Sequence, residues 1–135
     1  MTGEYAVEGL AVPESLNLLH DLLDRVSRAH PDVASADLML FETAVIEVAG
    51  NVVEHGRPPG SVSWAFRINI WPDRLEASLS DSGEEYPGGT WGTQMPADPL
   101  QESGRGLALA TAVLDSLTYE RRDDANHWQM LRRRG

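Results

Sequence analysis

A chain of 135 residues with 41% hydrophobic content and four tryptophans is long enough for one real core and too apolar to stay disordered. A net charge of −10 argues against binding a phosphate backbone, which needs a basic footprint, and suits a basic protein partner better. All eleven basic residues are arginine, which excludes a P-loop lysine, a Schiff-base lysine and a kinase-type strand lysine.

There is no cysteine, so no disulfide framework and no thiolate site; a reducing cytoplasm is the default expectation. No apolar run approaches the roughly 18 residues that a membrane span needs, and the N-terminus carries no secretory pattern. Without an internal repeat or linker, residues 1–135 read as a single domain.

In chain order, residues 5–12 form a first strand that Pro13 ends. Leu16, Leu19, Leu23 and Val26 mark one face of a helix from Glu14 to about Ala29, closed by His30-Pro31. His20 and His30 read as solvent-facing or helix-end residues. Asp32 or Ser35 is a candidate cap for the next helix, which runs to Gly56 and stops before Pro58, Pro59 and Gly60. Its apolar rhythm is Phe41, Val45, Val48 and Val52, broadened by Ala44, Ala49, Ile46 and Val53.

On one flank of that arc stand Glu47, Asn51 and His55 at i+4 intervals, within about 80° of one another. An ordinary amphipathic boundary would read the same way, but a carboxylate, an amide and an imidazole in one row also suggest chemistry.

Val62, Trp64, Phe66, Ile68 and Ile70 then alternate with small and polar residues, the period of a strand with one buried face. Trp71 to Arg74 is a tight turn, and Leu75, Ala77 and Leu79 continue as the antiparallel partner, running into Asp81-Ser-Gly83. Residues from about 84 to 103 lose periodicity and are rich in proline and glycine, as a lid or binding loop would be. Gly104-Arg105-Gly106 opens a helix from Leu107 to about Leu117. Thr118–Arg122 and His127–Arg132 close the chain as a hairpin. The expected class is α+β, a two-layer sandwich with helices on one face of a mixed, mostly antiparallel sheet.

Asp-x-Gly and Gly-Arg-Gly are each common; their order after Glu47 and Asn51 is more specific. Glu47-Val-Ala-Gly-Asn51-Val-Val-Glu-His55 resembles the N-box of the Bergerat-fold ATPases. Asp81-Ser-Gly83 is similar to their first glycine box, and Glu102-Ser-Gly104-Arg105-Gly106-Leu107 to their second. Within that superfamily the chain looks like the anti-sigma factor serine kinases of the RsbW and SpoIIAB type. Nothing in it resembles the dimerising hairpin or phospho-acceptor domain of a sensor histidine kinase.

The resemblance implies ATP and Mg²⁺ as cofactors. Asp81 would accept the adenine amino proton, Gly83 would let the backbone pass the base, and Asn51 would offer its amide oxygen to Mg²⁺. Gly104 and Gly106 would present amides to the phosphates and Arg105 a charge. Glu47 would be the general base for the acceptor hydroxyl; His55 gains a place on the pocket wall and no catalytic role. The implied activity is phosphorylation of a STAS-domain anti-sigma factor antagonist, with a sigma factor as alternative partner and a homodimer as the assembly. Glu85 stands where the family usually has a second glycine, beside Glu84. The alternative is therefore a nucleotide-binding module that sequesters its partner with little catalysis. Trp91 would close over the base or anchor the lid.

Overall fold

The computed structural model describes residues 3–55, 61–85 and 102–134, with the backbone alone for 102–106. Strand β1 (Gly3–Leu10) leads through a 3₁₀ turn at Pro13–Ser15 into helix α1 (Leu16–Ala29) and helix α2 (Ser35–His55). Strands β2 (Ser63–Ile70) and β3 (Arg74–Asp81) follow, then helix α3 (Glu102–Val113) and strands β4 (Ser116–Arg122) and β5 (Ala125–Arg133). The sheet order is β1-β2-β3-β5-β4. Every neighbouring pair among these strands is antiparallel, so the α+β sandwich stands as expected while the sheet needs no parallel pairing.

The periodicities explain the layers. On β2 and β3, alternate residues are buried in strict register. Phe66, Ile68, Ile70, Leu75 and Leu79 turn inward with Trp128 and Met130 of β5. Glu8, Ala65 and Arg67 point from the outer face. The helices cover the inner face: α1 buries Leu19, Leu22, Leu23 and Val26, and α2 buries Phe41, Ala44, Val45, Val48, Ala49 and Val52. Each large side chain so buried contributes about 1.5–3 kcal/mol. α2 touches both α1 and α3, with the broader contact to α3. No helix among the described residues is long and apolar enough to cross a membrane.

Some boundaries differ from the sequence expectation for local reasons. β1 begins and ends two residues earlier than expected, and just past its end the Val12 amide turns back to the Leu10 carbonyl at 2.9 Å. Ser35 is itself the first residue of α2, so the cap position falls to Ala34. Asp32 instead accepts from Arg134 Nη2 at 3.0 Å, which holds its carboxyl below the usual range. His30 caps the C-terminus of α1, a helix-end residue as expected, but it is buried, and its Nε2 meets the Tyr5 hydroxyl at 2.8 Å. α3 starts five residues before Leu107, so the Gly-Arg-Gly segment lies inside its first turns. Arg132 binds Asp37 through Nε and Nη2 at 3.2 and 3.0 Å, tying the last strand to the start of α2.

The β4–β5 hairpin is tighter than the four-residue connection expected. Arg122 pairs with Ala125, and the two residues between, Asp123 and Asp124, have φ of 54° and 60°. Both signs match a type I′ turn, which Asn-Gly fills with less strain. Replacing the pair, D123N with D124G, is expected to raise Tm by about 3 °C in scanning calorimetry, a gain near 1 kcal/mol. A lowered Tm would contradict this turn geometry.

Candidate active site

The fold sets α2 against the end of β3, and the row on its flank becomes graded in burial. Asn51 is 4% exposed, while Glu47 and His55 are half-buried. Among the described residues, Asn51 has no hydrogen-bond partner at either Oδ1 or Nδ2. An amide shut away from water with both atoms unpaired costs about 1–3 kcal/mol. It faces a small cavity of about 20 Å³ that it shares with His55, Asp81, Glu84, Asn126 and Trp128. Such a space admits about one water molecule. Glu47, one turn earlier, lines a different concavity, a shallow groove of about 340 Å³ with His20, Met39, Glu42, Thr43 and Ile46. The structure therefore brings Asn51 and Asp81 together and leaves Glu47 on the adjoining outer side of the helix.

Asp81 ends β3 at 5% exposure. Its Oδ1 accepts from the Gly83 amide at 2.9 Å and from Asn126 Nδ2 at 2.9 Å. Asn126 is equally buried, and Nδ2 also donates to the Glu84 carbonyl at 2.8 Å. Its Oδ1 accepts from the Tyr119 hydroxyl and from Arg121 Nη1 at 3.2 Å, and Arg121 Nη1 donates to the Gly83 carbonyl at 2.6 Å. Gly83 does not need a left-handed backbone here. A Cβ on it would lie 3.0 Å from Asp81 Oδ1 and 3.3 Å from Val62 Cγ2, so the requirement is one of space.

The sequence expectation gives Asn126, Tyr119 and Arg121 no site role: it sets Asn126 in a turn and Tyr119 and Arg121 in a closing strand. A signal was present: Asn126, Trp128 and Met130 alternate, which puts a polar amide at an inward position of the last strand. Nothing in the sequence, though, says that β5 pairs with β3 so that Asp81 faces Asn126.

The remaining expected site residues are only partly visible. Counted from Glu102, Gly104 is the third residue of α3 and Gly106 the fifth. The first four amides of a helix have no intrahelical acceptor, so counted from Glu102 the Gly104 amide has none within the helix and the Gly106 amide has one. The Arg105 side chain, Trp91 and nearly all of the expected lid lie outside the described residues. Glu84 and Glu85, at its start, are exposed.

Three helices on one face of a five-stranded antiparallel sheet, with the polar flank of α2 against a strand-end Asp-x-Gly, define the Bergerat ATP-binding fold. The profile of the histidine kinase-like ATPase domain matches residues 10–132, and the chain belongs to that family. It is 33% identical over 90 residues to the serine/threonine-protein kinase BtrW of Bordetella bronchiseptica, covering 60% of this chain and 60% of BtrW. Its fold is similar to the structure of the RsbU and RsbW domains of Rv1364c from Mycobacterium tuberculosis: TM-score 0.69, 17% identity, over 98% of this chain and 33% of that one. It is also similar to the mycobacterial sensor histidine kinase MprB: TM-score 0.54, 18% identity, over 96% of this chain and 98% of that one. The chain thus spans about 60% of BtrW and one third of the Rv1364c chain. The two solved structures are alike in fold, and the family model carries the assignment to the histidine kinase-like ATPases.

Two glycines give opposite expectations. Gly83→Ala should lower stability by about 1–3 kcal/mol, because its Cβ presses on a carboxylate and a packed valine. Gly50→Ala on α2 meets nothing within 4 Å and should raise stability by about 0.8–1 kcal/mol. Urea unfolding of both variants checks the pair, and a stabilised Gly83→Ala would refute the close approach.

Proposed function

We propose that this protein is an ATP-dependent serine/threonine kinase of the anti-sigma factor type. It phosphorylates a STAS-domain antagonist protein and, in the other arm of a partner switch, binds a sigma factor, acting as a homodimer. The observation that carries the reading is Asn51. A buried amide with both polar atoms unpaired among the described residues, facing the same cavity as the Asp81 carboxylate, is costly unless a ligand completes it. The family match and the kinase name of BtrW support the reading.

The donor set suits Mg·ATP chemically: a buried amide, a buried carboxylate and amides at a helix start. Asn51 would hold Mg²⁺ through its amide oxygen, with waters and phosphate oxygens as the remaining ligands, since Mg²⁺ rarely takes a full protein cage. Mg·ATP supplies the phosphoryl group and screens its charge. Asp81 would bind the base edge, and Gly104 would offer its free amide and Arg105 its charge to the phosphates. Glu47, half-buried on an open groove, would take the proton of the incoming serine or threonine hydroxyl. The groove is the side from which a protein segment reaches it.

A second reading, a sequestering module with little catalysis, has its support in Glu84 and Glu85 at the first glycine box. One experiment separates the two: incubation with labelled ATP and candidate STAS-domain proteins. The kinase reading expects label on the partner. Glu47→Gln should keep Mg·ATP affinity and lose about 10²–10⁴ in transfer rate, and full activity in that variant would remove Glu47 as the base. Asp81→Asn should weaken Mg·ATP about tenfold or more in calorimetric titration; unchanged affinity would remove Asp81 from the base pocket.

A further inference from the structure

The network around Asp81 does more than satisfy a buried carboxylate. Three acceptors surround Asn126 Nδ2: Asp81 Oδ1 at 2.9 Å, the Glu84 carbonyl at 2.8 Å and the Gly83 carbonyl at 3.5 Å. Two donors, the Tyr119 hydroxyl and Arg121 Nη1, face its Oδ1. A guanidinium cannot accept, so reversing the amide would set oxygen against three acceptors. One orientation remains, and Asn126 is a fixed donor to Asp81.

That donor shapes what Asp81 can offer. A carboxylate oxygen accepts about two hydrogen bonds, and Oδ1 already takes two, from Gly83 and Asn126. Further acceptance by the carboxylate must therefore fall on Oδ2. Adenine needs only that, because it presents a single exocyclic amino group beside an acceptor. Guanine presents two neighbouring donors, N1–H and its amino group, which match a carboxylate with both oxygens open. Its O6 would face the negative charge if it bound as adenine does.

We propose that Asn126, held by Tyr119 and Arg121, sets the base selectivity of the nucleotide site. By filling Oδ1 of Asp81 it admits a purine edge with one donor and rejects an edge with two. Asn126 is thus a positioning residue: it acts on the base through Asp81. The inference rests on the nucleotide reading above and adds to it a residue on the last strand outside the three sequence boxes.

The test is isothermal titration of the full chain with Mg·ATP and with Mg·GTP. Wild-type protein is expected to prefer ATP. Asn126→Ala should weaken ATP about tenfold while GTP holds or tightens, so the ratio of the two dissociation constants falls by about tenfold or more. Tyr119→Phe removes one of the two donors that orient the amide and should lower the ratio less, by about threefold. Simple packing damage weakens both nucleotides alike, so an unchanged ratio in the variants overturns the proposal. Should Asn126→Ala fail to fold, Tyr119→Phe decides alone. Equal wild-type affinity for the two nucleotides also overturns it and leaves the nucleotide site standing. Binding of neither removes the nucleotide reading and this inference with it.

Discussion

A carboxylate buried at the end of β3 is the constraint around which this end of the molecule is arranged. Asp81 is 5% exposed, and a buried charge is tolerated only with close donors. Its own turn supplies one through the Gly83 amide, and β5 supplies the other through Asn126. Asn126 is fixed in turn by Tyr119 and Arg121 on β4. Four residues from three segments are thereby committed to one oxygen atom. The same bonds hold the Gly83 and Glu84 carbonyls, so the chain leaving β3 starts from a fixed point.

Asn51 obeys the opposite logic. It is as deeply buried as Asn126, yet neither of its amide atoms has a partner among the described residues. Asn126 lies in a network saturated by design of the fold; Asn51 lies across the same small cavity and is left open. The helix tolerates this because Phe41, Val45, Val48 and Val52 anchor it firmly beneath the sheet. Local consistency breaks where a site has work to do. In the proposed function, the saturated side selects the base and the open side receives the metal ion.

The element order was readable because each element has a single clear period. β2 alternates strictly, α1 and α2 carry long apolar faces, and glycine and proline separate them. Boundaries were less legible: β1 stops where the Val12 amide turns back to Leu10, and α3 extends back to Glu102. Two consecutive aspartates do not announce positive φ as Asn-Gly would, so the sequence points to a four-residue turn where the structure has two.

The sequence by itself determined the α+β class, the inward faces of the strands, and the three boxes that carry the family resemblance, because these are properties of neighbours along the chain. Tertiary structure alone decided that β5 would lie beside β3 rather than beyond β4, 45 residues separating Asp81 from the Asn126 that holds it. It also decided which residue of the Glu47, Asn51, His55 row would be buried without a partner. Both depend on what a side chain meets across space, and a pattern of spacing along one strand or helix does not encode the identity of the element packed against it.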